Sequence, residues 1–314
     1  MKIIAVIVTY NRLELLKKCL TAVAAQSRAA DAVIVVNNGS TDDTAEWLSK
    51  QDLIIHHLSN IGGAGGFSYG INAAYKAGAD WIWLMDDDTI PENDTLEQLV
   101  ATLKDLDSSI EGVGFLSSQV LWTDGNTHEM NRTYRLTDPR KLNQLSISAS
   151  DNYQLIQFGT FVSMLVSAKA VAAVGLPIKE FFIWADDVEY SKRIIKHGLA
   201  GVAVKQSIAL HETPINHISS VFKDTHLNLW KYKYGLRNEL FTKRLHEGEL
   251  RFWVTWVHRM FILPFRILVN RKSHRWPFMK VVWQTTIDSL SFKPVIENVE
   301  RRAENTPEAI SRMA

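Results

Sequence analysis

Apolar runs and helically spaced apolar residues alternate along the first two thirds of the chain. Residues 3–8 are all apolar and rich in β-branched types, which is typical of a strand buried on both faces of a parallel sheet. Apolar side chains then recur at helical spacing from Leu13 to Val23, with Asn11 as the expected N-cap. The alternation continues with predicted strands at 33–36, 53–56, 81–85, 112–116, 158–167 and 199–203. Helices are predicted to about residue 49, with Ser40 or Thr41 as the N-cap, over about 67–77 and 181–197, and another is predicted to open at 89–92. Such alternation predicts βαβ crossovers, and therefore an α/β fold with a mainly parallel sheet flanked by helices.

Composition narrows the class of protein. The chain has 314 residues and 46% hydrophobic content, enough for one large domain or two ordinary ones with a sizeable core. Cys19 is the single cysteine, so no intrachain disulfide can form, and its place in a helical pattern predicts an inert core thiol. We find no signal-like segment and no uninterrupted apolar stretch near the ~20 residues of a membrane span, and therefore expect a cytoplasmic protein.

The first strand-to-helix turn disfavours one common class of nucleotide-binding protein. It reads Thr9-Tyr10-Asn11-Arg12 and contains no glycine. A dinucleotide-binding Rossmann fold carries a glycine-rich turn at this place.

Further along, the polar stretch 123–155 lies between two predicted strands, and we expect it to cross over the sheet and contact substrate.

Three consecutive aspartates, Asp86, Asp87 and Asp88, follow the apolar strand at 81–85. Like charges about 4 Å apart repel by about 1 kcal/mol in water and about 4 kcal/mol at an effective dielectric of 20, so the run is unfavourable unless a cation binds there. Side chains at i and i+2 of an extended chain share a face, so Asp86 and Asp88 are expected to point together. They would form a clamp for a hard divalent cation of the kind that holds a nucleotide diphosphate. The alternative is a solvated acidic turn.

A glycine cluster at 60–67, Asn60-Ile61-Gly62-Gly63-Ala64-Gly65-Gly66-Phe67, lies between a predicted strand and a predicted helix. Glycines let the backbone approach a ligand closely, and N–H groups at a helix N-terminus attract anions. The cluster could cradle a phosphate or a sugar, or it could be a mobile connection. The neighbouring aspartates favour the ligand-binding interpretation.

A second acidic pair follows aromatic residues in the segment 181–190, where Trp184 precedes Asp186 and Asp187. Burial against the indole would raise the pKa of a carboxyl group, and the helix N-terminus would lower it. One of the two aspartates is expected to cap the helix, which leaves the other as a candidate general base for a sugar hydroxyl.

His211 follows an apolar segment in a predicted loop. Beside Asp86 and Asp88 its imidazole would suit Mn²⁺ somewhat better than Mg²⁺.

These segments together resemble an inverting family 2 glycosyltransferase of the GT-A fold, which is Rossmann-like. The likeness is carried by Val6–Arg12, by Val36-Asn37-Asn38-Gly39-Ser40 and by Asp86–Asp88, and it spans roughly residues 1–215. With the glycine cluster and Trp184–Asp187 included, the combination looks most like bacterial galactofuranosyltransferases, with rhamnosyltransferases as near relatives.

The resemblance implies a role for each matching residue. Asp86 and Asp88 would bind the metal, Mn²⁺ or Mg²⁺, His211 would complete its coordination, and Asp87 would touch the donor sugar or ribose. Asp187 would be the base, with Asp186 as the alternative register. The other donor-binding residues that the motifs imply are Thr9, Asn11, Arg12, Asn38, Asn60, Gly62, Gly63, Gly65, Gly66 and Trp184. The sequence departs from the commonest pattern at Asn38, where many relatives carry aspartate, and at Ala185.

The region 226–302 differs in composition from the rest of the chain. Residues 226–294 hold 13 Lys/Arg, 4 Asp/Glu and five of the 10 tryptophans. Interfacial helices pair Trp, Phe and Leu with Lys and Arg, so we expect a helical region on a membrane surface, where anionic lipid favours each cation by about 1 kcal/mol. Pro264 and Arg266 are expected to interrupt the apolar run and prevent a span. The alternative is a helical subdomain whose aromatics form its core or an oligomer contact, while nucleic-acid binding is disfavoured because no known motif accompanies the charge.

We therefore predict a GT-A domain at 1–225, a helical region at 226–302 and a flexible tail at 303–314. The predicted reaction transfers galactofuranose from UDP-galactofuranose to a glycan linked to a polyprenyl diphosphate. The protein would lie on the cytoplasmic face of a bacterial inner membrane and act in the synthesis of a surface polysaccharide such as O-antigen. A dTDP-rhamnose-dependent rhamnosyltransferase is the alternative within the class. A nucleotidyltransferase, which would carry a glycine- and arginine-rich first loop, and a non-catalytic nucleotide-sugar-binding protein, which needs no base, are alternatives from other classes.

Overall fold

The described residues fold around one nine-stranded sheet with helices on both of its faces. The computed structural model describes residues 1–143, 145, 147 and 150–300, so the tail predicted at 303–314 lies outside the described residues. The strands are β1 (Ile3–Thr9), β2 (Ala32–Asn37), β3 (Ile54–His57), β4 (Trp81–Asp86), β5 (Thr89–Pro91), β6 (Val113–Leu121), β7 (Tyr153–Leu155), β8 (Met164–Ser167) and β9 (Ala200–His211). The α-helices are α1 (Leu13–Ala24), α2 (Thr44–Leu48), α3 (Gly62–Lys76), α4 (Thr95–Leu106), α5 (Pro139–Leu142), α6 (Ala168–Val174), α7 (Asp186–Lys196), α8 (Leu229–Glu247), α9 (Glu249–Val257), α10 (Leu263–Asn270) and α11 (Arg275–Ser291).

The order of strands across the sheet is β3-β2-β1-β4-β8-β6-β9-β5, and β7 also pairs with β9. The first four strands are parallel, as the alternation of strands and helices predicts. The second half is mixed, because β8 runs antiparallel to both β4 and β6 while β6 and β9 are parallel. β8 runs antiparallel to β6 because the chain comes back into the sheet at the same end at which β6 leaves it. The carboxyl ends of β1, β2 and β4 therefore meet at one edge of the sheet.

Each face of the sheet carries its own apolar core. Alternate residues of β1 divide between them, with Ile4, Val6 and Val8 on the side of α3, α6 and α7. Ile3, Ala5 and Ile7 lie on the side of α1 and α4, where the buried thiol of Cys19 also packs. A strand covered on both faces reads as a continuous apolar run, which is the pattern of residues 3–8.

Several predicted boundaries are wrong, because contacts distant in sequence decide them. The helix predicted from about Phe67 begins at Gly62, so the glycines form its first turns. Its side toward β1 leaves no room for side chains: a Cβ at Gly66 would lie 2.6 Å from Val8 Cγ1, and one at Gly70 would lie 2.4 Å from Val6 Cγ1. These two glycines let α3 pack closely on the strand.

The segment 89–92, predicted to open a helix, is instead the short strand β5, which pairs antiparallel with the end of β9. Proline is tolerated there because β5 lies at the sheet edge. The strand predicted at 158–167 is confined to Met164–Ser167, after Ser163 takes a positive φ of 55°. The strand predicted at 199–203 continues to His211, which therefore ends a strand and does not lie in a loop.

The predicted N-caps of the first two helices are also wrong. Asn11 has a φ of 54° and precedes the capping residue Arg12, which makes no side-chain cap. The Asn11 side chain instead accepts a hydrogen bond from Thr41 N at 2.7 Å. The second helix starts at Thr44 after Asp43, again without a side-chain cap, and not at Ser40 or Thr41.

The helices from α8 to α11 form a third apolar cluster around Tyr232, Ile267 and Phe278. Pro264 does not interrupt the apolar run as expected, because α9 continues through a π-helical turn at His258–Ile262 into α10. Among the described residues the resulting helix, Glu249–Asn270, is long and apolar enough to cross a membrane, judged by length and composition alone. One such helix is weak support for a span, because helices of soluble proteins can meet the same criterion.

Candidate active site

The first group of acidic residues lies where the ends of β1 and β4 meet. Val8 of β1 pairs with Asp86 of β4, so the residues that follow each strand are neighbours. Asp87 turns toward β1, where its carboxylate accepts hydrogen bonds from Thr9 Oγ1 at 2.8 Å and from Tyr10 N at 3.3 Å. Asp87 thus connects the two strands, while Asp86 and Asp88 belong to a separate group with His211.

Asp86, Asp88 and His211 form a group whose candidate ligand atoms all lie within 4.8 Å of one another. The antiparallel pairing of Thr89 with His211 brings the end of β9 to the aspartates. A hydrogen bond of 2.8 Å from Glu212 N to Asp88 O continues that pairing. Two carboxylates and one imidazole are the donor set that the sequence predicts.

The hydrogen bonds around His211 show that this group fits a divalent cation. Asn131 Nδ2 donates to Thr160 Oγ1, so its Oδ1 is the atom that faces His211 Nδ1, at 2.8 Å. A neutral imidazole then carries its proton on Nδ1 and directs the lone pair of Nε2 toward Asp88 Oδ1, 3.2 Å away. Asp88 Oδ1 is buried and has no hydrogen-bond partner among the described residues. Two electron pairs that face each other at this distance favour a cation bound by both.

The ring of His128 packs against the ring of His211. The two imidazole rings lie 4.4 Å apart, and His128 Nε2 is 2.8 Å from Thr213 Oγ1. Burial lowers the pKa of His128 to about 4, so this ring is neutral at physiological pH. Asn131 and His128 lie in the polar excursion at 123–155, and no local pattern marks either one as part of the site.

Arg12 is the cation that the structure places among the aspartates. Its Nη1 lies 2.5 Å from Asp88 Oδ2 and 3.2 Å from Asp87 Oδ1. Burial raises the pKa of Asp87 to about 6, although Arg12 opposes that shift. Burial, together with the charges of Asp88 and Asp87, raises the pKa of Asp86 well above its ordinary value. The group holds more negative charge than one guanidinium balances.

The residues predicted to hold the nucleotide lie beside this group. Asn38 is buried, donates to Gly62 O at 2.9 Å and accepts from Ile61 N at 3.1 Å. Asn60 Oδ1 accepts from Gly62 N at 3.0 Å. These amides shape the start of α3, where Gly63 has open space around its Cβ position. Gly65 and Gly66 are buried in packing contacts, and a donor-binding role for the glycine cluster stays a prediction.

The second acidic group follows a strained turn at 181–185. Ile183 N donates to Phe181 O at 2.7 Å, and Phe182 has a φ of 62° and a ψ of −57°, which is a γ-turn of the rare, strained kind. Trp184 and Ala185 each have a φ of 68°. A left-handed non-glycine residue costs on the order of 1–3 kcal/mol, so the surrounding structure must stabilise this turn.

The turn also contacts the glycine cluster. Phe182 O accepts a hydrogen bond from Ala64 N at 3.2 Å. A Cβ at Gly62 would lie 2.2 Å from the same oxygen, and Gly62 has a φ of 76°, so only glycine fits this position. The start of α3 and the approach to α7 are therefore joined by direct backbone contact.

Asp186 and Asp187 begin α7 with different surroundings. The helix is capped by the backbone of Ala185 without a side-chain hydrogen bond, so neither aspartate is the N-cap. Asp187 Oδ1 accepts a hydrogen bond from Val188 N at 2.7 Å. Burial raises the pKa of Asp187 to about 6, and burial with the neighbouring charge of Asp187 raises the pKa of Asp186 to about 8. Both carboxyl groups therefore hold a proton more readily than an exposed aspartate, and Asp186 does so more than Asp187.

Helix α8 forms the wall behind this turn. Trp184 meets the ring of Tyr232 edge-on at 5.0 Å, and a Cβ at Gly235 would lie 2.5 Å from the Trp184 indole. Phe182 stacks on Tyr234 at 4.7 Å. The region predicted to begin at 226 therefore contributes side chains to the site. The domain boundary at 225 stays a prediction.

Comparison with known proteins decides the family. The family model described as "Glycosyl transferase family 2" matches residues 4–162. The chain belongs to glycosyl transferase family 2. The matched residues include Asp86–Asp88 and the glycine cluster but end before α7 and β9, so the family match does not reach Asp187 or His211. The predictions of the family and of the enzyme class, a glycosyltransferase, are confirmed.

Curated members of the family are similar over more of the chain. The galactofuranosyltransferase GlfT1 of Mycolicibacterium smegmatis is 34% identical over 202 residues, which cover 62% of this chain and 66% of that protein. GlfT1 of Mycobacterium tuberculosis is 32% identical over 203 residues, 63% of this chain and 66% of that protein. The matches thus span about two thirds of the relatives' length, and the predicted likeness to galactofuranosyltransferases is confirmed.

Two solved structures share the fold. A crystal structure of GalNAc-T7 with UDP, GalNAc and Mn²⁺ has a TM-score of 0.59 at 14% identity, covering 99% of this chain and 57% of that one. S. aureus TarS 1-349 in complex with UDP-GlcNAc has a TM-score of 0.55 at 15% identity, covering 92% and 81%. These likenesses confirm the predicted GT-A architecture, with its flanking and C-terminal helices.

Proposed function

We propose that this chain transfers galactofuranose from UDP-galactofuranose to a hydroxyl of a glycan acceptor, with inversion at the anomeric carbon. The observation that carries the proposal is that the two acidic groups share one site. Asp87 accepts a hydrogen bond from Thr9 Oγ1, and Thr9 O accepts one from Asn38 N. Asn38 Nδ2 donates to Gly62 O and Ala64 N donates to Phe182 O, so hydrogen bonds join the aspartates after β4 to the turn that precedes the acid pair on α7. The similarity to two proteins named galactofuranosyltransferase supports the donor sugar. The UDP-GlcNAc complex of TarS, which has the same fold, supports a UDP donor.

The donor side would bind and orient the nucleotide diphosphate. Thr9, Asp87 and Asn38 provide hydrogen-bonding groups at the ends of β1, β4 and β2, where the nucleoside is expected. A divalent cation, Mn²⁺ or Mg²⁺, held by Asp86, Asp88 and His211 would supply positive charge to the departing diphosphate. Arg12 lies beside Asp88 and would add a second positive charge on the same side.

The base side would activate the acceptor. Asp187 has the lower pKa of the pair and would accept the proton of the acceptor hydroxyl as its oxygen forms the new bond to the anomeric carbon. The bond from that carbon to the diphosphate oxygen breaks in the same step, and UDP leaves with the electron pair. Asp186 has the higher pKa and would donate a hydrogen bond, so the raised pKa values separate the roles of the two carboxyl groups.

The first test is turnover by the purified chain with UDP-galactofuranose, UDP-galactopyranose and dTDP-rhamnose, each with Mn²⁺ and then with EDTA. Metal-dependent consumption of the furanose donor alone is expected. Selective use of dTDP-rhamnose would contradict the donor and retain the mechanism. Nucleotide binding without turnover of any donor, in the presence of a lipid-linked acceptor, would favour a non-catalytic binding protein.

We further propose that the acceptor is lipid-linked and that the chain binds the membrane through the outer face of α9 and α10. This face, the outer stripe, exposes an apolar side chain every three or four residues: Leu250, Trp253, Val254, Val257, Phe261, Phe265 and Leu268. From Leu250 to Ile287 the sequence has seven Lys/Arg and no Asp/Glu. Arg259 and Arg271 are buried, and the other five cations are exposed. Exposed aromatic and aliphatic side chains beside exposed positive charge suit the surface of an anionic bilayer.

Flotation with phosphatidylglycerol vesicles tests this surface. Phe261→Ser with Phe265→Ser is expected to abolish flotation and to leave turnover on a soluble acceptor unchanged. The matched control, Ile54→Ser with Tyr69→Ser, changes two exposed apolar residues on β3 and α3, outside the outer stripe, and should float like wild type. Equal flotation on uncharged phosphatidylcholine would contradict the role of the basic residues, and dimerisation lost in the stripe variant would indicate an oligomer contact instead.

A further inference from the structure

We propose that Asn238 of α8 is a positioning residue that keeps the strained turn 181–185 in the form that presents Asp187 to the acceptor. The role of Asp187 as the base belongs to the proposed function, and the inference rests on it to that extent. The contact between Asn238 and the turn does not depend on that role. Nothing in the local sequence around Asp187 predicts a residue fifty positions later as its support.

The Asn238 amide is bonded to three successive parts of the turn. Its Nδ2 donates to Phe181 O at 2.8 Å, to Trp184 O at 3.0 Å and to Ile183 O at 3.1 Å. The side chain is fully buried, so no water competes for these carbonyl groups. The hydrogens of one NH₂ group are thus shared among the carbonyl oxygens at both ends of the γ-turn and that of the residue after it.

The orientation of the amide is set by its other atom. Asn238 Oδ1 accepts from Arg237 Nη2 at 3.0 Å and from Arg237 Nε at 3.2 Å. A guanidinium only donates, so the oxygen must face it and the NH₂ group must face the turn. Arg237 Nη2 also donates to Glu180 O at 2.8 Å, which secures the residue before the turn. Arg237 and Asn238 of α8 therefore bind backbone oxygens on both sides of the turn, in addition to the aromatic contacts of Tyr232 and Tyr234.

The turn requires such support because its backbone is unfavourable without it. Phe182, Trp184 and Ala185 all have positive φ and none is glycine. Three carbonyl groups directed at one point repel one another unless a donor lies between them. Removal of that donor would let the turn relax to ordinary backbone angles, and Ala185 immediately precedes Asp186 and Asp187. A misplacement near 1 Å is enough to cost about 100-fold in rate.

The test compares Asn238→Leu, which keeps a similar volume and has no donor, with Asn238→Asp, which places an oxygen against the carbonyl groups. Thr242→Val is the matched control, since Thr242 is buried one turn further along α8 and its hydroxyl has no partner among the described residues. Asn238→Ser keeps one donor and should restore part of the loss. Each folded variant is measured by amide hydrogen exchange of the peptide 179–190, by UDP affinity, and by kcat and KM.

We expect Asn238→Leu and Asn238→Asp to speed exchange in 179–190 by about tenfold or more while the rest of the chain exchanges as in wild type. We expect kcat to fall by about 100-fold with UDP affinity within about threefold, and Thr242→Val to stay near wild type in every measurement. Unchanged exchange in the turn would overturn the inference, as would faster exchange with unchanged kcat. Loss of UDP affinity in proportion to kcat, with faster exchange throughout, would show a purely structural role. If wild type uses no donor, the proposed function fails, and the exchange of the turn still decides whether Asn238 holds it.

Discussion

The two acidic groups of the site are supported by different kinds of structure. Asp86, Asp87 and Asp88 follow a central strand, and Asp87 is hydrogen-bonded to the strand beside it. Asp186 and Asp187 follow a turn with three left-handed residues and depend on a helix from the far end of the chain. The first group is positioned by the sheet, whose hydrogen bonds do not depend on a particular side chain. The second is positioned by individual side-chain contacts.

This difference indicates how the two sides should respond to substitution. Changes on the sheet side remove a ligand or a donor contact and leave the backbone in place, so binding should weaken. Changes on the turn side move or discharge the base, so turnover should fall while nucleotide binding persists. The following predictions test that division.

Asp187→Asn should cause the largest loss. The amide cannot accept the acceptor's proton, and general-base catalysis contributes about 10²–10⁴-fold, so kcat should fall by that factor with UDP affinity nearly unchanged. Steady-state kinetics and titration calorimetry with UDP measure the two quantities. Asp52→Asn, at an exposed position in the turn before β3, is the control and should behave as wild type. Equal loss of binding and turnover would show that Asp187 is structural.

Arg193→Met should destabilise α7, the helix that carries the proposed base Asp187. Arg193 donates to both oxygens of the fully buried Glu189 and to the carbonyl groups of Val174 and Leu176. Loss of one partner of a buried ion pair costs about 3–5 kcal/mol in the free energy of unfolding, and the buried carboxylate of Glu189 would keep only His246 Nε2, 3.3 Å away, as a side-chain partner. Urea denaturation measures this loss.

Two variants sharpen that measurement. Arg193→Met combined with Glu189→Met should recover part of the lost stability, since it removes the buried charge as well. Lys50→Met, which breaks an exposed ion pair with Glu46, should change the free energy of unfolding by less than about 1 kcal/mol. A double variant no more stable than the single one would assign the effect to packing.

Asn131→Ala should weaken metal binding on the sheet side without touching a metal ligand. The variant loses the partner of His211 Nδ1, and removal of such outer hydrogen bonds typically costs about 10–100-fold in metal affinity. Titration with Mn²⁺, followed by calorimetry, gives the dissociation constant. Asn126→Ala, at an exposed turn of the same excursion, is the control. An unchanged Mn²⁺ affinity would contradict the role of His211 as a metal ligand.

The pH dependence of kcat/KM should separate the two carboxyl groups on the turn side. Burial raises the pKa of Asp187 to about 6, and a base is active only when deprotonated, so kcat/KM should be constant above pH 6 and fall below it. The slope should approach about tenfold per pH unit. An acid limb near pH 8 would instead assign the base to Asp186, whose pKa is raised to about 8.

The sheet side is the part that the sequence predicts well. Residues 3–8 and 81–85 are continuous apolar runs, and the aspartates follow the second run directly. Each of these features depends on neighbours along the chain. The i, i+2 rule predicts Asp86 and Asp88 on one side, and in the structure they do lie together, although residues 87 and 88 form a turn instead of extended chain. The family likeness implies His211 as a metal ligand, and the pairing of His211 with Thr89 explains how the end of β9 lies beside the aspartates.

The turn side could not be predicted to the same depth, because its conformation is decided at a distance. No rule assigns positive φ to Phe182, Trp184 and Ala185, since each prefers ordinary backbone angles when considered alone. Gly62 is glycine because of an oxygen 120 positions later in the chain. Asn131 and Asn238 are single amides in polar or amphipathic segments, and their importance lies in partners that only the folded chain brings close.

The position of α8 has a practical consequence for work with shortened chains. A fragment ending at residue 225, the predicted boundary, would keep all nine described strands and the Asp86, Asp88 and His211 group, because β9 ends at His211. It would lack Asn238 and the aromatic wall behind Trp184. Such a fragment could bind nucleotide and metal yet fail to turn over any donor, and it would then be mistaken for a sugar-nucleotide receptor. Inactivity of the fragment would reflect the missing helix and would give no information about the acceptor or the membrane.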